Sequence, residues 1–320
     1  MTSRARLPVA WFLVVGAAVL AAVLWPSEAH AWGPLAHLGF SSGALECQSI
    51  FSPATRAVLQ QFASEFHYGS LAADIVVGKN LARYAVHCHN WAVGFRVLDR
   101  ARGDAQKAFG LGFLAHLAAD TVAHNYFVPY KTVEGFRKRA SGHAYWELRF
   151  DQRQTPDLWK LARHVSRAEY REHDEHLEEQ LAESQVIPFS ISRKLFGSLL
   201  VAARLKRWQR MSAMVARERD LPLHHEELRE CHKLGVEQIV DLLKRGANAA
   251  CVGADPTGGR NLHLAESLRG RLRSRDDLDR RAAEDVVRKA RPAFKAGIFG
   301  SVHLPELPVG LPGSPTEPAR

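Results

Sequence analysis

The sequence predicts an all-α fold, a multi-helix bundle, on three observations. Beyond residue 31 the apolar residues recur mostly at helical spacing. Runs of alternating β-branched residues, the mark of strands, are nearly absent. The chain has 320 residues, 46% of them hydrophobic, enough for a sizeable core and too apolar for a disordered chain.

The elements follow in order. Residues 1–31 stand outside the core: Arg4 and Arg6 precede an apolar run from Pro8 to Trp25, and the stretch to Ala31 ends in the small-x-small pattern of a signal-peptidase site. Cleavage after Ala31 and export are expected, with Trp32 as the new N-terminus. An uncleaved anchor is the lesser alternative, because about 17 apolar residues are at the lower limit for a span. Ser52 and Pro53, an N-cap type followed by a first-turn proline, open a helix through Gln61 and Phe66. Gly69, Gly78 and Gly94 read as breaks. Further helices are expected over 103–126, 142–150, 156–183, 190–217, 222–246 and 276–293. Pro305, Pro308, Pro312, Pro315 and Pro318 make 301–320 an extended tail.

Composition divides what remains. Residues 32–151 hold nearly every side chain suited to chemistry, and 152–300 read as a helical continuation packing on them. Basic runs at Arg204–Arg210 and Arg269–Arg275 read as solvated helix faces. His164, His173 and His176, and likewise His224, His225 and His232, lie among charged residues on apparently exposed helices and suggest no separate metal site. The formal charge is +9, or +8 without Arg4, Arg6 and Glu28, which favours anionic partners, whether lipid head groups or nucleic acid. Export would permit disulfides among Cys47, Cys88, Cys231 and Cys251, with the pairing open. Their spacings fit neither a zinc knuckle nor a CxxC redox site.

The densest chemical signal is Gly112 to Phe127. On a helix, residues four apart share a face, so His116, Asp120 and His124 form one polar stripe on an otherwise apolar helix. Such a helix is buried, and an Asp between two His residues then needs a partner. Imidazole and carboxylate are zinc's usual ligands outside thiolate sites, and a carboxylate can bridge two ions. A self-satisfied polar cluster is the competing reading. His143 and Glu147 give a second His and acid pair four apart, after a loop with Pro129 that turns the chain back. Asp74, in a Leu-Ala-Ala-Asp-Ile context, is a costly buried acid unless paired. His87 and His89 follow it, and His37 lies five positions after Trp32. An α-amine has a pKa near 8, so the processed Trp32 amine could lose its proton and bind a metal beside its carbonyl oxygen.

This ordered set, Trp32 to Glu147, resembles the zinc-dependent phospholipase C family, which shares its architecture with single-strand-specific zinc nucleases. The resemblance implies a helical bundle holding three zinc ions. One would take Asp74, His87, His116 and a shared Asp120, with His89 as the alternate to His87. The next would take the Trp32 amine and carbonyl, His37 and Asp120, and the third His124, His143 and Glu147. Asn90, three residues after His87, favours His87. His124 follows Asp120 by a shorter step than in better-known members. Asp74 is the expected catalytic residue, orienting zinc-activated water or taking its proton.

The activity this implies is a phospholipase C, cleaving glycerophospholipids to diacylglycerol and a phosphorylated head group, with peripheral contact to a membrane surface. The alternative is a single-strand-specific nuclease or nucleotidase on the same site, where Trp91 and Trp146 could stack bases. A third reading is a binding protein that keeps the zinc cage without turnover. His67, Tyr68, Phe66, Tyr126 and Phe127 either line the cleft or pack.

Overall fold

The computed structural model describes residues 32–75, 88–137, 143–181, 223–275 and 278–307. Among the described residues there is no strand. No described helix is long and apolar enough to cross a membrane.

Helix α1 (Pro34–Glu46) starts with a first-turn proline after Gly33 and buries Leu35, His37, Leu38 and Phe40. Its apolar residues run all the way round, so it shows no stripe that periodicity could detect. Helix α2 (Pro53–Gln61) opens as its sequence predicts, with the Ser52 hydroxyl accepting from the Thr55 N–H at 3.1 Å. The expected run to Phe66 is interrupted: Phe62, at φ −122° and ψ 44°, outside helical geometry, separates α2 from α3 (Ala63–Ile75). After residue 88 come α4 (Trp91–Asp99), capped by the Asn90 side chain, and α5 (Asp104–Val122).

Helix α5 is the centre of the bundle. Almost every residue from Ala108 to Val122 is buried, with α3, α4 and α10 (His225–Arg245) packed around it and α1 against α3 and α10. At Ala123–Phe127 the helix widens into a π turn and then runs on as α6 (Val128–Glu134). Pro129 lies in the first turn of α6, so the chain continues where a turn back was expected. The predicted helix over 156–183 is two, α8 (Pro156–Arg167) and α9 (Arg171–Leu181), with an extended Ala168 at the joint. Helices α11 (Gly259–Arg273) and α12 (Arg280–Ala296) pack on α6, below α7 (His143–Asp151) in chain order. The predicted helix over 190–217, Gly78 and Arg204–Arg210 lie outside the described residues.

Two of the glycines expected as breaks are instead contact points inside helices. A Cβ on Gly69 of α3 would lie 2.0 Å from the Phe109 carbonyl oxygen of α5, and one on Gly112 would lie 2.1 Å from the Phe66 oxygen of α3. Gly94 of α4 instead faces the side chains of Leu114 and Leu117. The missing side chains let α3 and α5 approach until backbone touches backbone. That approach sets Ser70 against His116 and, one turn on, Asp74 beside it. Gly69→Ala is therefore expected to cost more than the about 1–3 kcal/mol of ordinary overpacking, because no side chain can move aside. Denaturant midpoints of the variant and parent check this, and an unchanged midpoint would contradict the close crossing.

Candidate metal centre

Four elements bring the chemistry together. From α1 comes His37, from α3 Asp74, from the residues before α4 His89, and from α5 His116 and Asp120. The His37 and His116 rings stack at 3.8 Å, and His89 meets His116 edge-on at 4.9 Å. Asp120 sits at the convergence: its Oδ2 is 3.2 Å from His116 Nε2 and 3.3 Å from His89 Nε2, and its Oδ1 is 3.5 Å from His37 Nε2. Asp74 stands across from it, 3.4 Å from His89 Nε2 and 3.8 Å from His37 Nε2. All but Asp74 are at most 1% exposed.

The arrangement puts acceptor against acceptor. His116 Nδ1 donates to the Ser70 carbonyl at 2.9 Å, which leaves Nε2 as a lone pair in the neutral ring. That lone pair points at the Asp120 carboxylate and lies 3.0 Å from His89 Nε2. Burial, then the neighbouring His116, push the His37 imidazole down to about 3, so it too is a neutral lone-pair donor. Burial alone would raise Asp120, but His116, His89 and His124 offset it and hold its carboxylate well below the usual range. Neither Asp120 oxygen and neither His37 ring nitrogen has a hydrogen bond. Buried polar atoms normally are satisfied. A cation at the convergence removes the conflict, and the imidazole and carboxylate donors suit zinc. Two overlapping sets have ligand atoms all within 4.8 Å of one another: His37, Asp74 and His116, and His89, His116 and Asp120.

Several sequence expectations meet this geometry directly. His89, the alternate, belongs to one of these sets, with Nδ1 3.3 Å from the Cys88 sulfur; His87, the favoured choice, lies outside the described residues. His124 lies on the π turn with Nδ1 4.0 Å from Asp120 Oδ2, and belongs to neither set. π turns often mark functional positions. The side chains of His143 and Glu147 lie outside the described residues. Trp32 packs its indole among Phe40, Phe127 and Phe150 and donates Nε1–H to the Ala119 carbonyl at 3.0 Å, one residue before Asp120.

The aromatic and histidine candidates resolve mostly into packing. Phe66, Tyr68, Tyr126 and Phe127 are buried, and Trp146 is fully buried against Phe127 and Lys131, so it offers no stacking surface. Trp91 donates its indole N–H to the Ala254 carbonyl at 2.8 Å. His173 and His176, expected on an exposed face, are buried, His176 bonding to the Val97 carbonyl at 2.8 Å. The four cysteines are free thiols, and burial pushes Cys251 up to about 12.

Two groups support the site: Asp151, which escaped the sequence, and His67, expected to line the cleft or pack. Asp151 accepts from the N–H groups of Leu35 and Ala36 at 3.2 and 2.9 Å, fixing the start of α1 and with it His37. Gly33 makes room: a Cβ there would lie 2.2 Å from the Asp151 carboxyl. Burial outweighs the two N–H bonds and, with Asp74 nearby, pushes Asp151 up to about 7. The second is His67, bonded to Ser41 Oγ at 2.8 Å, whose hydroxyl stands 3.4 Å from that of Ser70. Burial lowers His67 from 6.5 to about 4. The unfolded chain therefore binds the extra proton between those values, and stability present above pH 6.5 is lost as pH falls toward 4, by about 3 kcal/mol. His67→Asn should flatten this part of the stability profile; an unchanged slope would contradict the assignment.

Residues 36–189 match the family model described as zinc dependent phospholipase C. The match contains every residue of both ligand sets and extends past Asp151 through α8 and α9. No curated protein and no solved structure matches the chain.

Proposed function

We propose that the chain, whose residues 36–189 match the family model described as zinc dependent phospholipase C, is an exported phospholipase C, hydrolysing glycerophospholipids to diacylglycerol and a phosphorylated head group. One observation carries the reading: four buried side chains, His37, His89, His116 and Asp120, and the part-buried Asp74 converge inside the matched segment, with both carboxylates facing imidazole nitrogens. When bound, zinc lowers the pKa of coordinated water to about 7 and neutralises phosphate charge.

The residues divide that task. Asp74, His89, His116 and Asp120 would hold one ion. His37 and Asp120, with the amine and carbonyl of a processed Trp32, would hold another, and His124, His143 and Glu147 a third. Asp74 is the least buried carboxylate of the cluster, its side chain 9% exposed. Its assigned role is to orient the attacking water and accept its proton as the water oxygen bonds to phosphorus and the glycerol oxygen leaves. Ser70, through its carbonyl, holds His116 in the tautomer that presents Nε2.

Export rests on the Arg4 and Arg6 leader, its apolar run and the small residues before Trp32. The basic charge favours an anionic surface. The test is hydrolysis by one preparation of phosphatidylcholine vesicles and of single-stranded DNA. Diacylglycerol release that stops on chelation is expected; turnover of DNA alone would replace this reading with the nuclease.

A further inference from the structure

The loop from Ala254 to Gly258 lies beyond the family-matched segment, yet three successive carbonyls of it receive donors from that segment. Ala254 accepts from Trp91 Nε1 at 2.8 Å, Asp255 from Asn125 Nδ2 at 2.9 Å, and Pro256 from His124 Nδ1 at 2.5 Å. The loop is built to hold this shape. The Asp255 carboxylate accepts from the Thr257 N–H at 2.9 Å and hydroxyl at 2.7 Å, and Asn261 Nδ2 donates to Asn125 Oδ1 at 2.7 Å. Gly258, at φ +60°, lies so close that a Cβ would sit 2.3 Å from the His124 carbonyl oxygen and 2.4 Å from its Cβ. Only glycine tolerates both the conformation and the contact.

We propose that this loop is a positioning clasp for His124, fixing its imidazole as the Nδ1–H tautomer and so presenting Nε2 for metal. The chemistry is that of an outer-shell carbonyl on a ligating histidine, which orients the ring and raises its donor strength. The inference rests on the reading of His124 as a zinc ligand. It gives the C-terminal part of the chain a task at the centre: the Pro256 carbonyl selects the tautomer of the ring that the π turn carries. Asn125, next in sequence, anchors the same loop, so ring and loop are fixed together.

The test compares His124→Ala, Gly258→Ala and Asn261→Ala with the parent by zinc affinity in chelator competition and by imidazole nitrogen NMR. Asn261→Ala, in α11, is included as the second loop variant because it releases Asn125, whose amide holds the Asp255 carbonyl of the loop, without forcing an atom into the helix. The clasp predicts that one ion is lost from His124→Ala. It predicts that the same ion is held about 10–100-fold more weakly in the two loop variants, with the other ions retained and the His124 signal no longer purely Nδ1–H. If His124→Ala loses an ion while both loop variants keep full affinity and the same tautomer, the clasp is wrong. If His124→Ala itself keeps every ion, the ligand assignment beneath it fails.

Discussion

Asp120→Asn is expected to remove at least one zinc ion and to lower kcat/KM by about a thousandfold or more, beyond the about 10–100-fold cost of losing an outer-shell partner. The reason is its position. Among the described residues, Asp120 is the one carboxylate whose two oxygens face three imidazole nitrogens at 3.2–3.5 Å, one ring on Oδ1 and two on Oδ2. The amide keeps the shape but loses the charge, and one of its heads becomes a donor. That gives the substitution a second signature. An ordinary structural carboxylate, once neutralised, costs stability. The imidazoles of His116, His89 and His124 hold the Asp120 carboxylate well below the usual range, so the metal-free Asn variant should also be less stable than the metal-free parent, with the lost zinc-dependent stabilisation added to that. Zinc content, kinetics and melting of both metal-free forms check this. An active Asn variant with its full zinc complement would refute the bridging role.

Removal of zinc is expected to have the next largest effect, on stability. An ion that binds only the folded state, present at about a thousandfold its Kd, contributes about 4 kcal/mol, and several such ions add. At about 2–4 °C per kcal/mol for domains of this order of size, chelation should lower the Tm by about 10 °C or more. The effect should be specific. In the Asp120→Asn variant the zinc-dependent rise should shrink, whereas Gly69→Ala should lower the melting temperature with and without zinc. A Tm indifferent to chelation would mean that His37 and Asp120 leave their polar atoms unsatisfied for some other reason.

What was legible in the sequence is what one helix places by itself. His116 and Asp120 are four apart, and a period of 3.6 puts them on one face whatever the rest of the chain does. The acid at Asp74 was legible for a related reason, since an apolar helix makes any carboxylate within it conspicuous. Between His87 and His89 spacing could not decide: both lie within reach of Asp74 along the chain, and only the way residues 88–90 enter α4 turns His89 inward. Glycine was ambiguous. Gly69 reads as a break because glycine is a poor helix former, but the helix accepts that cost to let α3 touch α5 through backbone. Pro129 misled similarly, because a first-turn proline and a chain-reversing one look alike in sequence.

The remaining site support was not legible because it is made of contacts between distant segments. Asp151 reaches the start of α1 across 115 residues and Pro256 reaches His124 across 132. In the sequence one is an acid at a helix end and the other a proline in an ordinary Asp-Pro-Thr-Gly turn. The buried His173 and His176 show the reverse error: neighbouring charges suggested exposure, although the face they share turns toward Phe109 and Val97.

The most direct measurement is a crystal structure of the zinc-loaded protein with diffraction collected at the zinc absorption edge. Anomalous peaks are predicted between Asp74, His89, His116 and Asp120, between His37, Asp120 and the Trp32 terminus, and beside His124. Peaks only at surface histidines, with His37 and Asp120 bare, would contradict the zinc centre and the hydrolase built on it.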